Sequence, residues 1–286
     1  MQFEKWQALG NDYVIVEATA LPFELTPSRI RAICAPHTGV CADGILVLSE
    51  RAEPGKPGPL ARLRIFNPDG SEAEVSGNGA REAVLYMRSR GWADRDSFSI
   101  QTAAGELRPR ITSSTTCTVE MGRARLRSDD YPSGAEDGVG ELSAAGRRWR
   151  FRHVQVGNPQ CAIRVQDENE LYALDLNAIG PEVERHELFP HRTNVSWFTT
   201  LEPGRIRARI FERGAGETTA SGTGATGAAV ASMLDGGESP VTVVLDGGEL
   251  EIEVGEGLEI ALTGWAVPVF RGALAEDFVK ELHAIQ

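Results

Sequence analysis

The chain has 286 residues, 41% of them hydrophobic and 24% charged, with a formal net charge of −12. That length allows two domains, each with its own core. The acidic balance, with no basic cluster, argues against nucleic acid or a membrane as partner, because phosphate binding rests on Lys and Arg; no apolar run approaches the roughly 20 residues of a membrane span, and the N-terminus lacks a basic and apolar leader pattern.

In chain order, short segments rich in Val, Ile, Phe or Thr predict strands at 14–16, 45–48, 63–66, 98–101, 118–121, 153–156, 162–165, 195–198 and 206–211. Segments 241–245 and 250–254 flank Asp246-Gly247-Gly248-Glu249, a hairpin signal, and 258–262 predicts one more strand. Helices are expected at 80–90, closed by Gly91, and at 225–234, before Gly236-Gly237. Both lack a broad polar face, so both are expected to be buried. Peripheral helices are expected near 27–32 and 171–178, and 51–59 reads as a surface loop. The polar stretch 127–146, with Pro132 and glycines at 134, 138 and 140, reads as the link between two halves. Cys34, Cys41, Cys117 and Cys161 show neither C-x-x-C nor metal spacing, so packed thiols, no metal site and a reduced, cytoplasmic setting are expected.

One pattern occurs twice, 145 positions apart. Phe66, Glu72, Ser76, Gly77, Gly79, Ala80 and Ala83 spell F-x5-E-x3-S-G-x-G-A-x2-A, and Phe211, Glu217, Ser221, Gly222, Gly224, Ala225 and Ala228 spell it again. The repeat predicts an α/β (α+β) fold of two pseudo-symmetric domains, 1–130 and 131–286, each a curved mixed or antiparallel sheet around a central helix. The C-terminal strands remain free to return to the first half.

Each repeat places Ser-Gly-x-Gly at a helix start, where unpaired N–H groups and a partial positive charge favour an anion. Ser76 and Ser221 also read as plain N-caps. Neither loop is followed by the Lys-Ser/Thr pair of a phosphate loop, and no dinucleotide fingerprint is present, so a carboxylate fits better than a phosphate. Asn11, Asn67, Asn158 and Asn194 stand in settings that expose them, as turn residues or as ligand contacts. With Arg213 they could read a ligand bearing amino and carboxylate groups.

At these residues the chain resembles the diaminopimelate epimerase family. The matching stretches include Leu9-Gly10-Asn11-Asp12-Tyr13-Val14, Ala42-Asp43-Gly44, Phe66-Asn67-Pro68-Asp69-Gly70, Gly77-Asn78-Gly79-Ala80-Arg81, Gly157-Asn158-Pro159, Arg192-Thr193-Asn194, Phe211-Glu212-Arg213-Gly214, Gly216-Glu217-Thr218 and Gly222-Thr223-Gly224-Ala225. The resemblance implies a cofactor-free, usually dimeric epimerase that interconverts LL- and meso-diaminopimelate in lysine and peptidoglycan synthesis. It assigns substrate binding to Asn11, Gly44, Asn67, Asn158, Asn194 and Arg213, with the loop residues Gly77, Asn78, Gly222 and Thr223. The catalytic positions it marks are Ser76, Ser221, Glu212 and Gln160.

The departures fall at the chemistry. The family carries Cys where this chain has Ser76 and Ser221, and His where it has Gln160. A free thiol ionises near ~8.5, and lower at a helix start, whereas a serine hydroxyl is a far weaker acid. Three readings follow: an enzyme altered from Cys to Ser, a natural serine epimerase helped by Glu212, or a homologue that binds an amino acid or isomerises a different compound. Cys161 and Cys41 are the candidates for a relocated thiol; Cys161 should point away from Gln160 if both lie on one strand.

Overall fold

The computed structural model describes residues 1–52, 58–74 and 76–285, so most of the predicted 51–59 loop lies outside the described residues. Contacts divide the chain into two compact units, Met1–Val119 with Gly264–Gln286, and Glu120–Thr263.

The first unit opens with β1 (Gln2–Ala8) and β2 (Asn11–Glu17), an antiparallel pair across Leu9-Gly10. Both turn residues have positive φ, as a two-residue hairpin requires, and burial of Leu9 holds it there. Helix α1 (Pro27–Cys34) begins at a proline behind the capping Thr26. Strand β3 (Ile45–Ser49) runs parallel to β2, and β4 (Arg62–Phe66) antiparallel to β3. Strand β5 (Glu72–Ala73) folds back on β4 and sets Phe66 opposite Glu72. The buried helix α2 (Gly77–Ser89) follows, and Gly91, at φ 68°, closes it as expected. Then come β6 (Ile100–Thr102), parallel to β4, β7 (Gly105–Leu107), β8 (Pro109–Ile111) and β9 (Thr116–Arg123).

The second unit contains β10 (Val139–Ala144), β11 (Arg147–Val156), β12 (Asn158–Arg164), α3 (Glu168–Ala173) and α4 (Leu176–Glu184). It continues with β13 (Asn194–Glu202), β14 (Arg205–Glu212), β15 (Gly216–Thr218), α5 (Gly222–Leu234), β16 (Val241–Leu245), β17 (Gly248–Val254) and β18 (Glu259–Trp265). Its pairings repeat those of the first unit. Strands β12 and β13 are parallel like β2 and β3, β14 is antiparallel to β13, and β16 is parallel to β14 as β6 is to β4. Strand β15 sets Phe211 opposite Glu217. The Phe-x5-Glu spacing is therefore a strand register. It carries an ion pair in both units: Arg64 holds Glu72 at 2.8 Å and Arg209 holds Glu217 at 2.7 Å.

The chain then returns to the first unit as β19 (Val267–Ala273), which pairs with β1, and α6 (Glu276–Ala284). The first sheet has the order β19-β1-β2-β3-β4-β6-β7 with β5 on β4; the second runs β10-β11-β12-β13-β14-β16-β17-β18 with β15 on β14. Helix α2 packs on β1, β2 and β3, and α5 on β11 to β14, β16 and β17.

Three sequence expectations are corrected. The chain leaves the first unit at Val119, not at 130, and 127–146 is not a free link. Its polar composition hides β10, paired along β11, and Tyr131, buried against Phe151 and Phe189. The single helix at 171–178 is two, because Asp175 accepts from the N–H groups of Asn177 and Ala178 and starts a new one.

Gly180 in α4 tests the packing. A helix-interior glycine ordinarily costs about 1 kcal/mol against alanine. Here a Cβ would lie 2.4 Å from the Phe211 ring, and overpacking of that kind costs about 1–3 kcal/mol. Gly180→Ala should therefore lower the urea midpoint of unfolding; a raised midpoint would show that the ring yields.

Candidate functional site

Both serines cap their helices. Ser76 has φ −138° and ψ 122°, and its Oγ accepts from the Gly79 N–H at 3.1 Å. Ser221 has φ −144° and ψ 118°, and accepts from the Gly224 N–H at 3.2 Å. The glycine at the fourth loop position is a packing requirement. A Cβ on Gly224 would stand 2.8 Å from Ile210, and one on Gly79 would stand 3.0 Å from Leu46. Gly77, Asn78, Gly222 and Thr223 form the first turns, where backbone N–H groups have no helical acceptor. Each loop thus offers one hydroxyl beside a cradle of amides.

In the first unit, Asn78 donates to Asn11 Oδ1 at 3.2 Å, and Asn11 donates to Asp43 at 2.8 Å. Behind them the fully buried Arg81 donates to Gly77 O at 2.9 Å and Asn78 Oδ1 at 2.6 Å. Burial lowers its guanidinium to about 10, which leaves it charged at neutral pH. Gly44 serves by its lack of a side chain, since a Cβ would lie 2.2 Å from Phe66 O and 2.6 Å from the Tyr13 ring. Asn67 is a turn residue, its backbone and side-chain N–H groups donating to Ser71 at 2.9 and 3.0 Å. Tyr13, to which sequence analysis gave no role, donates its hydroxyl to Ser76 Oγ at 3.3 Å.

In the second unit, Asn158 and the buried Gln160 start β12, and the Gln160 amide donates to Asn158 Oδ1. Asn194 starts β13 and accepts from the Arg213 N–H at 2.7 Å, while the Arg213 guanidinium donates to His191 O at 2.8 Å. Glu212 ends β14 and accepts from the Thr218 hydroxyl at 3.1 Å. Burial raises its carboxyl above the ordinary value, opposed by hydrogen bonds from Thr218 and Ser221. Glu212 thus presents a carboxyl of raised proton affinity close to the Ser221 hydroxyl. Thr218 was missed as a member; the signal for it was its place on the strand folded back beside Glu212.

No buried thiol replaces the missing pair. Cys34 and Cys117 are pushed up to about 12 by burial, and burial raises Cys161 well above the ordinary value. Cys161 packs in the core with Trp197, while its neighbour Gln160 makes its hydrogen bond to Asn158. Cys41 is exposed at φ 57°, contrary to the expectation of a packed thiol.

Comparisons with known proteins show the family and the fold. A model of the diaminopimelate epimerase family matches residues 3–127 and 152–267. A diaminopimelate epimerase from a Synechococcus species is 39% identical over 96% of this chain and 98% of its own length. One from Magnetococcus marinus is 40% identical over 96% of each chain. Among solved structures, a hydroxyproline epimerase from Agrobacterium vitis superposes with a TM-score of 0.65 at 13% identity, covering 97% of this chain and 93% of its own. A probable proline racemase from Agrobacterium radiobacter gives 0.67 at 12% identity, covering 96% and 93%. At such identities these two likenesses show the fold alone.

Glu82, next to Arg81 on α2, is fully buried, and no side chain among the described residues donates a hydrogen bond to its carboxyl oxygens. Burial raises its pKa well above the ordinary value, with Arg81 opposing. Folded protein therefore holds this proton more tightly than unfolded chain. The stability it contributes is present below about pH 4.5 and is lost as pH rises through the folded value. Glu82→Gln should raise the urea midpoint more at pH 8 than at pH 5. An equal change at both pH values would show that Glu82 does not titrate in this way.

Proposed function

The chain belongs to the diaminopimelate epimerase family, and from that premise we propose that it epimerises LL-diaminopimelate to meso-diaminopimelate without a cofactor. Epimerisation removes a proton from one face of an α-carbon and returns one to the other. This chain carries two matched sets for such work, each a capping hydroxyl with the amides of a helix start. The observation that carries the reading is this pairing of Ser76 with Ser221 in the same cap geometry, at the positions where the family bears its thiols. Asn11, Asn67, Asn158, Asn194 and Arg213 are proposed as the groups that hold the amino and carboxylate ends of the substrate. The cradles of Gly77, Asn78, Gly222 and Thr223 suit a carboxylate.

Serine sets the difficulty. An alcohol gives up its proton far less readily than a thiol, so an alkoxide needs a partner that accepts the proton. At Ser221 that partner is Glu212, whose half-buried carboxylate takes the hydroxyl proton as Ser221 Oγ takes the α-proton. Gln160, an amide, cannot hold a proton at neutral pH; its proposed part is to orient Asn158. The setting that goes with this function is a cytoplasmic homodimer in lysine and peptidoglycan synthesis. Among the described residues no helix is long and apolar enough to cross a membrane.

The second reading, a homologue that binds an amino acid without turnover, is favoured by the double loss of the thiols. Incubation with LL-diaminopimelate in deuterated water separates the two. The expected result is deuterium at the α-carbon together with meso product; tight binding with no exchange over hours sinks the epimerase reading. The double variant Ser76→Cys/Ser221→Cys should raise exchange about a hundredfold or more, the range of a well-matched acid–base pair.

A further inference from the structure

The two serines match in their caps but not in their neighbours. Ser221 stands beside the carboxyl of Glu212. The residue at the same place in the first repeat is Asn67, an amide occupied with Ser71 at 3.0 Å. What reaches Ser76 is the phenol of Tyr13, from β2. We propose that Tyr13 is the positioning and proton-relay residue of Ser76; this rests on the reading above that Ser76 exchanges a proton with the substrate's α-carbon.

The hydrogen-bond inventory of Ser76 supports it. A hydroxyl oxygen accepts two hydrogen bonds and donates one. Ser76 Oγ accepts from the Gly79 N–H at 3.1 Å and from the Tyr13 hydroxyl at 3.3 Å. Both acceptor positions are filled, so the Ser76 O–H bond is directed away from them. The 3.3 Å contact is long for two hydroxyls, and such contacts shorten when a substrate fills the site. Tyr13 is held for this task. Its ring is 5% exposed and lies in the space that a side chain at residue 44 would fill.

When Ser76 gives its proton to the carbanion, its O–H bond breaks and the oxygen becomes an alkoxide facing two donors. A phenol, with an ordinary pKa near ~10, is a far stronger acid than an alcohol. The Tyr13 O–H bond then breaks, the Ser76 O–H bond re-forms, and the phenolate recovers a proton from water. In the reverse direction the phenolate takes the hydroxyl proton as Ser76 takes the α-proton. The charged groups around Tyr13 are Asp12 beside it on β2, Lys5 on β1, Asp43 before β3, and Arg81 and Glu82 on α2; Glu82 interacts with the Tyr13 backbone amide. A change at the phenol alone leaves all of these in place.

The first test needs no turnover. In the Ser76→Cys variant the introduced thiol titrates in the range where alkylation by iodoacetamide can be followed, read by mass spectrometry on the peptide that contains position 76. Adding Tyr13→Phe keeps the ring and removes the hydroxyl. The expected result is a pH midpoint of alkylation shifted upward and a rate at pH 7 lowered roughly tenfold, the effect of one hydrogen bond to a charged group. An unchanged midpoint overturns the proposal. In the chain with Ser76, Tyr13→Phe should lower kcat for α-proton exchange roughly tenfold or more with KM nearly constant, and lower it less in the Ser76→Cys background. Equal losses in both backgrounds mean that Tyr13 only packs, and also overturn it. Should neither the native chain nor Ser76→Cys/Ser221→Cys exchange protons, the epimerase reading fails by itself and the alkylation result decides the role of Tyr13.

Discussion

A helix that starts against a sheet leaves its first N–H groups without acceptors, and in both units a serine hydroxyl supplies one. Gly79 and Gly224 supply that cap's N–H donor. They also let Leu46 and Ile210 pack close behind, where a Cβ would crowd the first and overlap the second. The strand before each loop is fixed in turn by its return strand, Phe66 opposite Glu72 and Phe211 opposite Glu217. An Arg–Glu pair beside each register, exposed in the first unit and half-buried in the second, adds to it. The motif is one mechanical unit of strand, return strand, cap and helix. Its outcome is a hydroxyl of fixed direction beside unpaired amides.

Much of that unit was legible because its causes are local. The two glycine loops, the buried helices and the Asp246-Gly247 turn follow from residues close in sequence. Strand β1 was missed because Glu4 and Lys5 interrupt its apolar pattern, yet both are buried. Distant charges make that possible: Arg271 lies 2.8 Å from Glu4, and Asp12 lies 3.1 Å from Lys5. Strand β19 was missed because it is a sheet edge, with Pro268 within it and Val269 and Phe270 exposed. The contact from Tyr13 to Ser76 spans 63 positions. In the sequence, Tyr13 is one more aromatic residue on a strand, and its hydroxyl carries no periodic signal.

The repeat also shows where the halves diverge. Arg81 and Thr226 occupy the same place, one turn into each helix, and each donates to the carbonyl of the first helical residue, at 2.9 and 2.8 Å. Thr226 ends there. Arg81 reaches on to Asn78, and through it to Asn11 and Asp43. The first loop is thereby tied to a polar network with a buried cation at its base, while the second rests on an almost wholly apolar helix. Removing Arg81 would leave Asn78 and the loop carbonyl short of a donor, and would take from Glu82 the opposite charge beside it. Equal backbones therefore hold unequal fields: a cation behind the first hydroxyl and a carboxyl beside the second.

That inequality bears on why serine is tolerable at these two positions. A thiol is a weak hydrogen-bond acceptor until it ionises, so a neutral cysteine caps a helix poorly, whereas a serine oxygen caps it well in the neutral state. The hydroxyl stabilises the loop and lacks acidity; the thiol reverses the balance. A serine pair must then draw proton affinity from its neighbours, and the neighbours differ. In the proposed reaction Glu212 holds a proton beside Ser221, and Tyr13 releases one to Ser76. On the proposed reaction, the shared cap geometry leaves the direction of proton flow to those two side chains.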